Sequence, residues 1–126
     1  MRKLRTICAF LLALPLVAFG ANFFYEFIPE PETVVGPGMQ MLLDMRAGGL
    51  MLPVAISHLA IGLLLLIPRT RFSAGLLQLP MSLGILGFHL TMMPEGLPIA
   101  VGLLLLNLGV VLDARRLAGL FAADPE

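Results

Sequence analysis

Apolar residues run along this chain in long continuous stretches, not in the in-and-out alternation of a membrane strand. Charged residues mark where the stretches end. Between Arg5 and Glu26 lie 20 uncharged residues, between Arg46 and Arg69 22, between Arg71 and Glu95 23, and between Glu95 and Asp113 17. A helix needs about 20 mostly apolar residues to cross ~30 Å of hydrocarbon at ~1.5 Å per residue. The pattern predicts an all-α, integral membrane four-helix bundle. Its helices lie near Thr6–Tyr25, Gly49–Ile67, Phe72–Met93 and Leu97–Leu112. The fourth is the shortest, and Asp113, Arg115 and Arg116 place its far end by snorkelling.

The connections differ in length. Pro68-Arg69-Thr70-Arg71 is a tight turn between the second and third helices. Pro94-Glu95-Gly96 joins the third to the fourth, with Pro98 just inside. Short links make neighbours antiparallel. The first loop is longer, from about Phe27 to Gly48. Pro29-Glu30-Pro31-Glu32 cannot stay helical, and Gly36-Pro37-Gly38 reads as a second break. Met39 to Arg46 is predicted as a short helix at the membrane surface. The chain reads as one domain over 1–126, ending in a short tail from 113 to 126, with no internal repeat.

Composition narrows the class. Of 126 residues, 59% are apolar and 13% are charged, against about 25% charged in an ordinary soluble domain. A soluble chain this small has too little interior to hide so much apolar surface. There is no basic excess to hold nucleic acid and no charge-rich stretch to suggest disorder. One cysteine excludes an internal disulfide framework and a multi-cysteine metal site.

The charges also orient the chain, because basic residues stay cytoplasmic. Arg2, Lys3, Arg5, Arg69, Arg71, Arg115 and Arg116 all fall on one side if both termini are cytoplasmic, leaving Arg46 outside. Glu26, Glu30, Glu32, Asp44 and Glu95 then fall outside. The expectation is a multi-pass protein of the bacterial inner (cytoplasmic) membrane, N-in and C-in, with the lipid bilayer as its first partner. The competing reading makes the first helix a cleaved signal peptide, from Arg2-Lys3-Leu4-Arg5 to Ala18-Phe19-Gly20. The apolar run is long for that, and continues into the interfacial aromatics Phe23, Phe24, Tyr25 and Phe27.

Polar side chains inside the stretches are costly and usually face the bundle interior. His58, Ser82 and Asn107 fall near mid-membrane by residue count. Gln78, Ser82 and His89 share one face of the third helix, and Asn22 and Glu26 stand four apart near the end of the first. The functional reading is an outward-opening cavity with His58, Ser82 and Asn107 on its floor and Asn22, Glu26 and His89 at its mouth. A histidine beside a carboxylate relays a proton or binds a quinone carbonyl or another polar head group. The alternative is that these side chains bond one another and hold the helices together. Both stay open here.

Other candidates are weaker. Met39, Met41, Met45, Met92, Met93 and His89 suit Cu(I) by ligand type, but no spacing fixes a ligand cluster, so no metal is expected. Gly62, Gly75, Gly84, Gly87, Gly102 and Gly109 let membrane helices approach closely, and Pro15, Pro53 and Pro80 are candidate kinks. There is no nucleophile elbow, phosphate-cradling loop, CxxC or paired-histidine zinc motif, so no catalytic residues are assigned. A disulfide-forming, quinone-reducing protein would need several cysteines.

The segment His58-Leu59-Ala60-Ile61-Gly62-Leu63-Leu64-Leu65-Leu66-Ile67-Pro68-Arg69 resembles the DoxX-like family of small four-span membrane proteins. Phe88-His89-Leu90 through Pro94-Glu95-Gly96-Leu97-Pro98 is similar to that family's third and fourth helices, and Asn22-Phe23-Phe24 fits its first. The likeness covers about residues 5 to 121. It implies the four-span fold. It also implies two departures, because members often carry a Glu where this chain has His58 and another where it has Asn107. Some members are associated with quinone-linked sulfur oxidation or redox-stress complexes. The expected function is therefore a non-catalytic accessory or partner subunit of a redox- or stress-linked membrane system, with a protein partner or a second copy of itself. The alternative is a binder or carrier of a small lipophile such as a quinone. A lipid-modifying enzyme acting through His58 or His89 is a third.

Overall fold

The computed structural model describes residues 1–29 and 36–122. The expected break at Glu30-Pro31-Glu32 and the end of the tail lie outside the described residues. Within them the chain is all-helical, with no strand. The helices are α1 (Arg2–Tyr25), α2 (Gly36–Ala47), α3 (Met51–Leu66), α4 (Arg71–Thr91), α5 (Leu97–Val111) and α6 (Ala114–Leu120), with a single 3₁₀ turn at Pro94–Gly96 before α5.

By length and composition, α1, α4 and the stretch Pro94–Val111 can each cross a membrane, and α2 with α3 forms a pair bent by 93°. The window predicted over Gly49–Ile67 is shorter as a helix, for local reasons. Gly49 takes a left-handed φ of 80° in the turn after α2, which costs glycine little. Ile67 is extended, with φ −89° and ψ 119°, because the following Pro68 crowds an α-helical residue before it. Pro53 sits in the first turn of α3, where no intrahelical N–H is needed, so the expectation of a kink there is corrected. Pro15 and Pro80 do lie inside α1 and α4.

Two further elements differ from expectation. Gly36-Pro37-Gly38 is the start of α2 and not a break. Gly36 enters with φ 78°, and Pro37 falls in the first turn, where its missing N–H costs nothing. The tail begins with α6, whose N-cap is Asp113. Its carboxylate Oδ1 accepts from the backbone N–H of Arg115 at 3.1 Å and of Arg116 at 3.3 Å.

α1 packs against α3 and α5, and α4 packs against the same two helices. Ala9, Leu12, Ala13 and Leu16 of α1 meet Ile61 and Leu65 of α3, Ala74 of α4, and Leu103 and Val110 of α5 in one apolar core. Glycines set the closest approaches. A Cβ at Gly62 would lie 2.7 Å from Val17 Cγ2, one at Gly75 2.8 Å from both Val110 Cγ1 and Val111 Cγ1, and one at Gly109 2.6 Å from Cys8 Sγ. Gly20 does the same for α1 against Leu59, a contact the sequence reading missed. Gly84, Gly87 and Gly102 face open space and fill no such role. The outward faces stay apolar too, with Leu14, Leu63, Leu77, Leu83 and Leu105 all exposed. A buried core inside an apolar exterior suits lipid as the surrounding solvent.

Candidate functional site

Three polar side chains, Gln78, Ser82 and Asn107, are completely buried between α4 and α5. Asn107 donates from Nδ2 to the Gly75 carbonyl at 2.8 Å. Ser82 Oγ donates to Asn107 Oδ1 at 2.9 Å. Gln78 Nε2 lies 3.4 Å from Ser82 Oγ. The directions follow from what each atom can do. A carbonyl only accepts, so the Asn107 amide nitrogen must face Gly75 and its oxygen must face Ser82. Ser82 spends its single proton on that oxygen, so it can only accept from Gln78. The Gln78 amide nitrogen therefore turns toward Ser82, and its Oε1 is left buried without a partner.

His58 Nε2 is a second buried atom without a partner, and Arg5 Nε is the third among the described residues. His58 as a whole residue is only partly covered. Helix geometry puts His58 level with Gln78. His58 is about two turns, ~11 Å, from the end of α3 at Leu66, and Gln78 about two turns from the start of α4 at Arg71. Those two ends are tied together, because Arg71 Nε donates to the Leu65 carbonyl at 2.9 Å. His58 also lies on the arc of α3 that holds the buried Ile61, Gly62 and Leu65.

The residues expected at the cavity mouth separate into two places. Asn22 and Glu26 line a cleft of about 210 Å³ with Ile28, Pro29 and Arg46. Asn22 Oδ1 accepts from the Ile28 N–H at 2.6 Å, Glu26 is ion-paired with Arg46, and the Arg46 guanidinium lies 5.9 Å from the Phe23 ring centre. His89 is engaged elsewhere. Its Nδ1 is 2.9 Å from the Met93 carbonyl, and its ring lies where a Cβ on Gly96 would stand. That nitrogen carries the proton, since the carbonyl only accepts. Met41 and Met45 line an open groove along α2 with Gln40 and Asp44. Among the described residues no three His, Cys, Asp or Glu side chains gather closely enough to hold a metal ion.

The opposite end of the helices is held by arginines. Arg71 is 8% exposed. Beyond its bond to Leu65, it donates to Thr6 Oγ1 at 3.0 Å and to the Leu66 carbonyl at 3.4 Å, and it lies 5.7 Å from the Phe10 ring centre. Thr70 Oγ1 donates to the Leu64 carbonyl at 2.8 Å. The last carbonyls of α3, which have no partner within the helix, are thus met by side chains of the next turn. Arg5 pairs with Asp113 at 2.7 Å, linking the start of α1 to the cap of α6. The Asp113 carboxyl is held below the usual Asp range, first by the Arg116 backbone N–H; desolvation, next in size, pushes it up, and Arg5 and the Arg115 N–H lower it further. Sequence reasoning counted these arginines only as topology signals. The spacing of an arginine and a threonine just after a helix-ending proline was the available hint.

Compared with family models, curated proteins and solved structures, the chain matches none.

Proposed function

We propose that this chain is a four-span bundle of the bacterial inner membrane, with both termini cytoplasmic. It acts there as a non-catalytic accessory or partner subunit. The observation that carries the reading is the Gly75–Asn107–Ser82 chain, in which the buried Asn107 and Ser82 side chains are spent on each other and on backbone. Groups so used hold helices together rather than attack a substrate. The topology is supported by the gathering of Arg5, Arg71, Asp113 and Arg116 at one end, which the positive-inside rule makes cytoplasmic. At the other end α2 turns across α3 by 93°, as a helix lying in the interface does. The resemblance to the DoxX-like family gives the direction of a redox- or stress-linked system. Extraction from native membranes in mild detergent should give a stoichiometric complex, with a partner protein or a second copy. An isolated monomer in repeated preparations would overturn the reading.

A second reading, a binder or carrier of a small lipophile, is favoured by a specific observation. His58 Nε2 and Gln78 Oε1 are both buried without partners at one level of the bundle. Replacing His58 with Leu should abolish binding of such a molecule, and unchanged binding would place the site elsewhere.

A further inference from the structure

We infer that His58 and Gln78 together form a binding site for a hydroxyl group, held between α3 and α4. The inference rests on the lipophile-binding reading and specifies its ligand class. Leaving a buried polar atom unpaired is costly, so two such atoms at one level call for a shared partner.

The chemistry of that partner follows from the hydrogen-bond directions. Gln78 Oε1 can only accept, and the Gly75–Asn107–Ser82 chain prevents its amide from turning round. With its proton on Nε2, His58 offers a donor. The missing group must therefore accept from one side and donate to the other. A hydroxyl does both. A quinone carbonyl accepts from His58 but leaves the Gln78 oxygen bare, and an ether does the same. His58 as a residue is partly exposed although its Nε2 is closed off. Two sources carry the required chemistry: the head of a lipophilic phenol or quinol, and a single resident water.

The test uses the full chain in phospholipid nanodiscs. A decyl-substituted benzoquinol kept reduced, the matching quinone and the dimethyl ether of the quinol are titrated in parallel. The Nε2 signal of His58 is followed by nitrogen-15 NMR. The quinol should bind at least about tenfold tighter than the other two, the difference expected for one buried hydrogen bond. That preference should vanish in Gln78→Met and His58→Phe and be partly kept in His58→Gln, which preserves an N–H donor. Equal binding of all three compounds overturns the hydroxyl assignment and leaves lipophile binding standing. If none binds, yet the wild-type His58 signal shows a hydrogen-bonded Nε2–H with a through-space contact to a bound water, and Gln78→Met removes both, the hydroxyl site stands with water as its occupant and lipophile binding fails. The same signal without the water contact is a direct His58–Gln78 bond and overturns the hydroxyl site. No binding together with a His58 signal indifferent to Gln78→Met overturns both.

Discussion

Arg71 donates from Nε to the Leu65 carbonyl at 2.9 Å, folding its guanidinium back beneath the helix that precedes it. The same guanidinium reaches Thr6 on α1, so one side chain fastens three helices at one end. Hydrogen bonds to a charged group contribute about 1.5–3 kcal/mol each, and Arg71→Met removes the donor while leaving the carbonyls buried. Arg71→Met should destabilise the protein by about 2–3 kcal/mol in thermal unfolding in detergent. Arg71→Lys should recover only part of this, because an ammonium lacks the planar fork that serves several acceptors. An unchanged midpoint in Arg71→Met would show that solvent already satisfies those carbonyls.

Asn107 is placed to donate to Gly75 and accept from Ser82. Asn107→Leu should cost about 1 kcal/mol, the usual scale for a hydrogen bond between membrane helices. Asn107→Asp should be worse at neutral pH, since an ionised carboxylate would face the Gly75 carbonyl. Its defect should shrink as pH falls, because the protonated acid restores a donor in the same place. Unfolding midpoints measured from pH 7 to pH 4 would show this. A pH-independent defect would contradict the assigned bond directions.

The glycines divide into two groups that mutation separates. Gly75→Ala forces a methyl against Val110 and Val111, and should cost about 1–3 kcal/mol. Gly84→Ala meets nothing within 4 Å, and should be neutral or stabilising by less than about 1 kcal/mol. Paired denaturation curves decide the matter, and equal effects would place the α4–α5 contact wrongly.

Asp113 carries a carboxyl held below its ordinary value by the Arg116 N–H and by Arg5. A depressed folded value means that its contribution is fully present above the usual Asp value of about 4. The contribution is lost as pH falls through the lower folded value. The unfolding midpoint of wild type should therefore drop toward that of Asp113→Asn below about pH 4, and stay above it at neutral pH. Parallel acid profiles would remove Asp113 from the clamp.

Much of the architecture was readable from where charges stop. The end of α1 and both ends of α4 and α5 follow the charge-free windows closely, as a bilayer that tolerates neither bare backbone nor unpaired charge requires, whereas α1 starts ahead of its window, at Arg2. α6 was not readable, since its seven residues carry no long apolar run and depend on the Asp113 cap. Gln78, Ser82 and Asn107 are buried, as polar groups inside apolar stretches are expected to be, yet which atom donates to which depends on contacts between helices. His89 shares a face with Gln78 in sequence, but its end of α4 lets it turn to the Met93 carbonyl.

The sequence by itself determined the all-helical class, the number of apolar stretches long enough to cross a membrane and the placing of charge between them. These are one-dimensional consequences of bilayer thickness and of the cost of burying charge. Only the tertiary structure decided that Arg71 is a buried clamp, that Gly20 and Gly62 are contact points while Gly84 is not, and that Glu26 meets Arg46 rather than His89. Among the described residues it also left Gln78 Oε1 and His58 Nε2, with Arg5 Nε, buried without partners. Each of these depends on which helix lies alongside which and at what height, and hydrogen bonds form or fail over a few tenths of an ångström that residue spacing does not encode.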